Sequence, residues 1–506
     1  MSFRRLVLPL MFIGLFACDL DEELREDLTQ EEADAVFGSA TEEDIEGLVR
    51  GVYTNFVVPF QDQSRFWAAQ EHTGDLALGP TRGGDWDDGG VWRVLHDHTW
   101  SADHAFLGDT FSEILAIVFS ATNALQFEAS MTASQIAEVR FLRAFAIFAI
   151  ADGWGQVPFR ELGSDLTQPS EVLPGDEALS FVISEVEAVL TDLPEAPTNR
   201  ANQDAGRVLL MKAYLNRGTF ANRTSPQFPA ADMDRVIALA DQIEGYSLMP
   251  SYYGNFAPNN DVISTENIFT FENAPGVNRG GNTVRSRWFC TLHYNQNPSG
   301  WNGFATLSDF YDSFEEGDIR RYAETEAFTE LGYNNGFLIG QQRDTEGTEL
   351  LDRNGNPLAF TPEVALLESG GDLEVTGIRV MKYIPDVDNG DNIDNDAVVF
   401  RWADVMLMKA EALLRNGDAG TALGIVNEIR TARNATLFTE LTLDNLLAER
   451  GRELYWEGWR RQDLIRFGRF LEPWQLKDAS GEERLLFAIP ADQVALNPNL
   501  DQNPGY

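Results

Sequence analysis

Glu449-Arg-Gly-Arg-Glu-Leu-Tyr-Trp-Glu-Gly-Trp-Arg-Arg-Gln-Asp-Leu-Ile-Arg-Phe-Gly468 is the stretch on which the fold turns. With the residues before it, Leu443, Leu447, Gly451, Leu454 and Gly458 recur at spacings of three and four. That period predicts one helical face over 443–458, with two glycines that let a neighbouring helix approach closely. On the other faces Arg450 and Glu453 stand at i,i+3 and Glu457 and Arg461 at i,i+4, as pairs worth about 0.2–0.5 kcal/mol each. The segment reads as architecture, and no chemistry is assigned to its charges.

Working outward, Leu209-Leu-Met-Lys-Ala-Tyr-Leu-Asn-Arg-Gly218 matches Met406-Leu-Met-Lys-Ala-Glu-Ala-Leu-Leu-Arg-Asn-Gly417. In the second, Trp402, Val405, Met406, Ala410 and Leu413 share a face, Gly417 supplies a left-handed cap, and Asp418 caps a following amphipathic helix. The product is a helical hairpin of the tetratricopeptide kind, which buries its apolar face against its neighbours. A matching partner for the first segment is expected over 233–243. The stretch 138–155 is apolar nearly all round and predicts a buried helix. Residues 45–56 with 111–127 form a fourth candidate pair. Between the helices, 66–104 and 256–399 lack helical periodicity. In the second, Asp352-Arg-Asn-Gly-Asn-Pro357 and the alternation over 375–383 predict turns and short hairpins.

The signature at 449–468, the ending Asn497-Pro-Asn-Leu-Asp-Gln-Asn-Pro-Gly-Tyr506, and the 138–155 helix leading into Gly155-Gln-Val-Pro158 resemble the SusD/RagB family. That resemblance runs in patches from about Gly51 to the C-terminus. It implies a mostly α fold, a tetratricopeptide-like superhelix of helical hairpins, with long loop and short β-hairpin insertions. It also implies a nutrient-capturing outer-membrane lipoprotein, acting as the lid of a SusC-like TonB-dependent transporter and binding oligosaccharide. Capture of peptide or glycopeptide, a helical glycoside hydrolase and a pure scaffold are the alternatives.

Eighty acidic against thirty-eight basic residues leave a net charge of −42, which disfavours nucleic acid by repelling phosphate. Arg4, Arg5 and the apolar run 6–17 read as a signal peptide over 1–17. Leu15-Phe-Ala-Cys18 resembles a lipobox, which implies lipidation of Cys18, and 18–40 reads as an acidic tether to a single domain over 41–506. No second apolar run is expected to approach the roughly 18 residues of a membrane span. The other cysteine, Cys290, reads as a buried strand residue.

Function is expected on the insertions, because loops on a rigid scaffold carry sites. Pro80-Thr-Arg-Gly-Gly-Asp-Trp-Asp-Asp-Gly-Gly-Val-Trp92 offers Arg82, Asp85, Trp86 and Trp92. The second insertion offers Trp288, Tyr294, Asn295, Trp301 and Asn302, with Trp301 the first choice. Aromatic rings cover the C–H face of a pyranose while planar polar groups bond its hydroxyls, so both sets suit sugar. The alternative for each is a packed structural loop. Four histidines, His72, His96, His98 and His104, lie in or beside the first insertion. His96 and His98 would share a strand face, and structural roles are favoured over metal. Asp386, Asp388, Asp391, Asp394 and Asp396 form an oxygen-rich segment suited to calcium, though its spacing misses the EF-hand and a solvated loop is favoured. No catalytic pair or nucleophile motif is recognisable.

Overall fold

A computed structural model describes residues 41–274, 283–364, 366–368, 373–390 and 392–506. The signal peptide, the Cys18 lipidation site, the tether over 18–40 and Asp391 lie outside the described residues.

Eight long helices build the scaffold: α1 (Glu42–Thr54), α2 (Ala105–Ala124), α3 (Ala133–Trp154), α4 (Gly175–Val189), α5 (Gln203–Ala221), α6 (Ala230–Ala240), α7 (Trp402–Arg415) and α8 (Ala419–Ala432). From α2 onward each packs on the next, α6 meeting α7 across the second insertion, and α1 covers α2. The result is the stack of helical hairpins that the repeats predict. α3 is its centre. Thr132 and Gln135 close a capping box at its start, Gly155 caps its end at φ +71°, and from Val139 to Trp154 only Arg140 is not buried. Asp418 accepts from Thr421 N at 3.1 Å and Gly417 takes φ +91°, as its place between α7 and α8 requires.

α2 corrects one expectation. With the turn that follows it, it is apolar and long enough to span a membrane by composition. Its apolarity serves packing instead, since Leu107, Phe111, Ile114, Ile117, Val118 and Ala121 are buried between α1 and α3.

The signature also departs from its reading. The helix stops at Leu454 (α9, Leu443–Leu454), Trp456 and Gly458 take positive φ, and a new helix begins (α10, Arg460–Arg466). Gly458 therefore serves a turn and does not continue the seam. Gly451 makes room for a guanidinium: a Cβ there would lie 2.9 Å from Arg460 Nη1. The charges are buried rather than on the surface. Glu453 is fully buried and meets Arg320, Arg401 and Arg433 at 3.0, 2.7 and 2.8 Å. Glu449 holds Arg320, Arg430 and Arg452. Arg450 pairs with Asp404 and Asp463, Glu457 with Arg401 and Lys382, and Arg461 lies 3.6 Å from Asp152. The break at residue 455 removes the i,i+4 geometry, and burial makes every charge find a partner.

The second insertion is closed at its base by Asn267–Phe271 running antiparallel to Ala397–Arg401. Its interior holds a three-stranded sheet of Tyr322–Ala323, Asn335–Leu338 and Arg379–Met381. The predicted turn at 352–357 is a hairpin, with Leu351 bridged to Pro357. Cys290 is buried, but it caps the short helix Ser286–Phe289 and is not in a strand.

Candidate functional site

The two insertions meet. Thr81–Arg82 runs parallel to Leu367–Glu368, and Leu78 and Ala305 exchange both backbone hydrogen bonds at 2.9 and 3.0 Å. The sequence candidates divide at this junction between walls and surface.

Arg82 is a wall. It is 1% exposed, and its guanidinium donates to the carbonyls of Gly303 and Leu373 and to Thr376 Oγ1, fastening the first loop to the second. Asn302, equally buried, accepts from Arg379 at 2.9 Å and donates to the Glu374 carbonyl. Trp92 is buried among His72, Phe106 and Phe304, with Nε1 on Asp88. Trp288 is buried too. These four are corrected from ligand-contacting to structural residues, because all are buried and neighbouring protein groups take the polar edges of Arg82, Asn302 and Trp92.

Five candidates remain at the surface: Asp85, Trp86, Tyr294, Asn295 and Trp301. Residues 301–304 fold back on 289–292 through bonds such as Trp301 N to the Phe289 carbonyl. This sets the Trp301 ring edge-on to Phe289 at 5.6 Å with the residue 40% exposed, and Arg285 stacks on the other ring at 3.6 Å. Trp86 donates from Nε1 to the Trp301 carbonyl at 2.8 Å. Its ring fills the place where a Gly303 Cβ would lie 2.2 Å away. It does so at φ +58°, a conformation costing an aromatic residue roughly 1–3 kcal/mol that the surrounding contacts must hold. Asp85 follows a tight turn in which Arg82 and Asp85 exchange backbone bonds. Its carboxylate accepts from Tyr294 Oη at 3.2 Å and from Arg353 at 3.0 Å. Asn295, beside Tyr294, is exposed and donates to the Leu351 carbonyl.

Sequence reading missed Arg353 and Glu374. Arg353 lies 4.1 Å from the Tyr294 ring centre and joins exposed Asp85 to buried Glu374. The signal was present, since Arg353 is the second residue of the quoted turn 352–357. Burial opposes ionisation of Glu374, but the backbone N–H and guanidinium of Arg353 and the ring of His293 keep its pKa below the usual value. Burial lowers His293 despite that bond. The outcome is a rigid rim of aromatic rings, one exposed carboxylate, one guanidinium and an amide, suited to hydrogen-bonding hydroxyls beside a stacked sugar face.

The histidines are structural. His96 ends a short helix and His98 follows it at φ +55°, so they share no strand. His96 bonds the Gln475 carbonyl, whereas His98 bonds the Thr73 carbonyl and Ser480. His104 caps α2, and burial among aromatic rings pushes His72 down to about 3. Among the described residues no three His, Cys, Asp or Glu side chains converge on a metal position. Asp386 accepts from Asn389 and Asp394 N–H groups, and Asp396 is buried against Thr270 and Asn273.

A family model described as the SusD family matches residues 242–485. The starch-binding protein SusD of Bacteroides thetaiotaomicron is 28% identical over 419 residues, 74% of this chain and 73% of that protein. A solved laminarin-binding SusD-like protein superposes with TM-score 0.70 at 20% identity, over 92% of this chain and all of the other. Surface glycan-binding protein A from Bacteroides uniformis gives 0.70 at 19%, over 92% and 99%.

Proposed function

Because this chain belongs to the SusD family, we propose that it binds an oligosaccharide without altering it and delivers it to a SusC-like TonB-dependent outer-membrane transporter. In this reading it is held at the cell surface by lipid on Cys18. The observation that carries the binding reading is the junction of the two insertions, where exposed Trp301 and half-buried Tyr294 accompany Asp85 and Arg353 on one rim. Sugar recognition needs that pairing of ring faces with planar hydrogen-bonding groups, whereas a peptide would be gripped by strand edges or apolar pockets. Relatives described as binding starch, laminarin and surface glycans support the substrate class.

The test is affinity electrophoresis against a panel of polysaccharides, followed by prolonged incubation with any that retards the protein. Retardation with no shortened product is the expected outcome. Product formation abolished by replacing one Asp or Glu would establish a hydrolase instead, and retardation by none would remove the glycan reading.

A further inference from the structure

We infer that Asp85 makes this rim selective for uncharged oligosaccharides and excludes sulfated and uronic-acid glycans. The inference rests on the glycan reading above and adds the charge class of the ligand.

Three observations carry it. Asp85 is the exposed carboxylate of the rim, with its side chain 45% accessible, and its two partners, Tyr294 Oη and Arg353, both bond Oδ2. Oδ1 remains for a hydroxyl donor and repels an anion. Arg353, the cation that bonds these rim carboxylates, is already bound by two of them, Asp85 through Nη2 and Glu374 through Nε. A sulfate or carboxylate approaching Arg353 would therefore meet a guanidinium whose single charge is already balanced by two carboxylates that also face the incoming anion. Asp87 and Asp88 continue the same loop, and Arg93 takes up Asp87 at 2.9 Å. The chain as a whole carries a net charge of −42. A neutral sugar incurs no repulsion here and uses Asp85 as an acceptor for its hydroxyls.

The experiment is affinity electrophoresis of wild type, Asp85→Asn and Arg353→Gln. The gels carry neutral polysaccharides (starch, laminarin, xylan, galactomannan) or anionic ones (polygalacturonate, alginate, chondroitin sulfate), with laminarin and chemically sulfated laminarin as a matched pair. Wild type is expected to be retarded by at least one neutral polymer and by none of the anionic ones. Asp85→Asn frees one side of Arg353 and should gain retardation by an anionic polymer that added salt abolishes. Arg353→Gln leaves the carboxylates uncompensated and should gain none, which separates a charge filter from a merely structural role that would move both variants alike. Wild-type retardation by an anionic polymer as strong as by a neutral one overturns the charge class and leaves glycan binding standing. Equal behaviour of the two variants removes Asp85 as its source. Retardation by no polymer removes the glycan reading and the charge class with it.

Discussion

Replacing Trp301 with alanine tests the rim most directly, because the structure fixes how much of the ring is available to a ligand. A tryptophan side chain carries about 250 Å² of surface, of which 40% exposure leaves about 100 Å² for a sugar to cover. At about 25 cal/mol per Å² that contact is worth about 2.5 kcal/mol, so its loss should weaken binding between thirtyfold and a hundredfold. The covered part of the ring, edge-on to Phe289, also contributes to the fold, so the melts must show that the variant is folded before its affinity is read. Titration calorimetry with a glycan that retards the wild type, run beside thermal melts, reads both quantities. Trp92→Ala is the contrast. That ring is 2% exposed among His72, Phe106 and Phe304, and its loss should cost about 3–5 kcal/mol of stability. Unchanged affinity in folded Trp301→Ala would refute the placement of the site, and an unchanged melt for Trp92→Ala would refute its assignment to the core.

Glu453→Gln withdraws the charge that faces three buried guanidiniums and should cost about 3–5 kcal/mol, seen as a lowered melting temperature; no shift would refute the network as described. Glu411, buried on α7 against Arg415 and Arg466, and Glu449 are both held down at about 2 by their arginine partners. The stability they supply is present above their ordinary value of 4.5 and lost as pH falls toward 2, so the melting temperature should drop across that window. Asp396 has the opposite sign, since burial raises it to about 7 and stability is lost as pH climbs from about 4 through 7. The advantage of Asp396→Asn over wild type should therefore grow across that range and level off above it, and a constant difference would contradict the shift. Finally, Cys18→Ala should release the protein from the membrane fraction or block its maturation; unaltered fractionation would discard the lipid anchor.

The helical hairpins were legible because a period of 3.6 and terminal caps are local properties. Gly417 and Asp418 end one helix and cap the next within two residues. The signature misled where locality ended. Spacing assigns residues to a face only while the helix continues, and the turn through Trp456 and Gly458 ends it. Among the tryptophans, residue type alone did not separate Trp301 from Trp92 and Trp288. Exposure is decided by which loop covers which, and that depends on partners about two hundred residues away, such as Gly303 beneath Trp86. Glu374 was unreadable for the same reason, because its role exists only once Arg353 and His293 converge on it.

The buried charge cluster has a consequence for exchanging specificities between relatives. Arg320 belongs to the second insertion, yet its guanidinium is shared by Glu449 and Glu453 of α9, while Arg401 and Arg433 complete the same cluster from the helical stack. A graft that replaced all of 256–399 would remove this shared counter-ion from the interior and leave Glu449 and Glu453 with two arginine partners each in place of three. Transplants should therefore be cut at the crests of the loops, 83–90 and 293–301, leaving Arg320 with its native host, so that a new ligand preference is installed without unmooring the keystone beneath it.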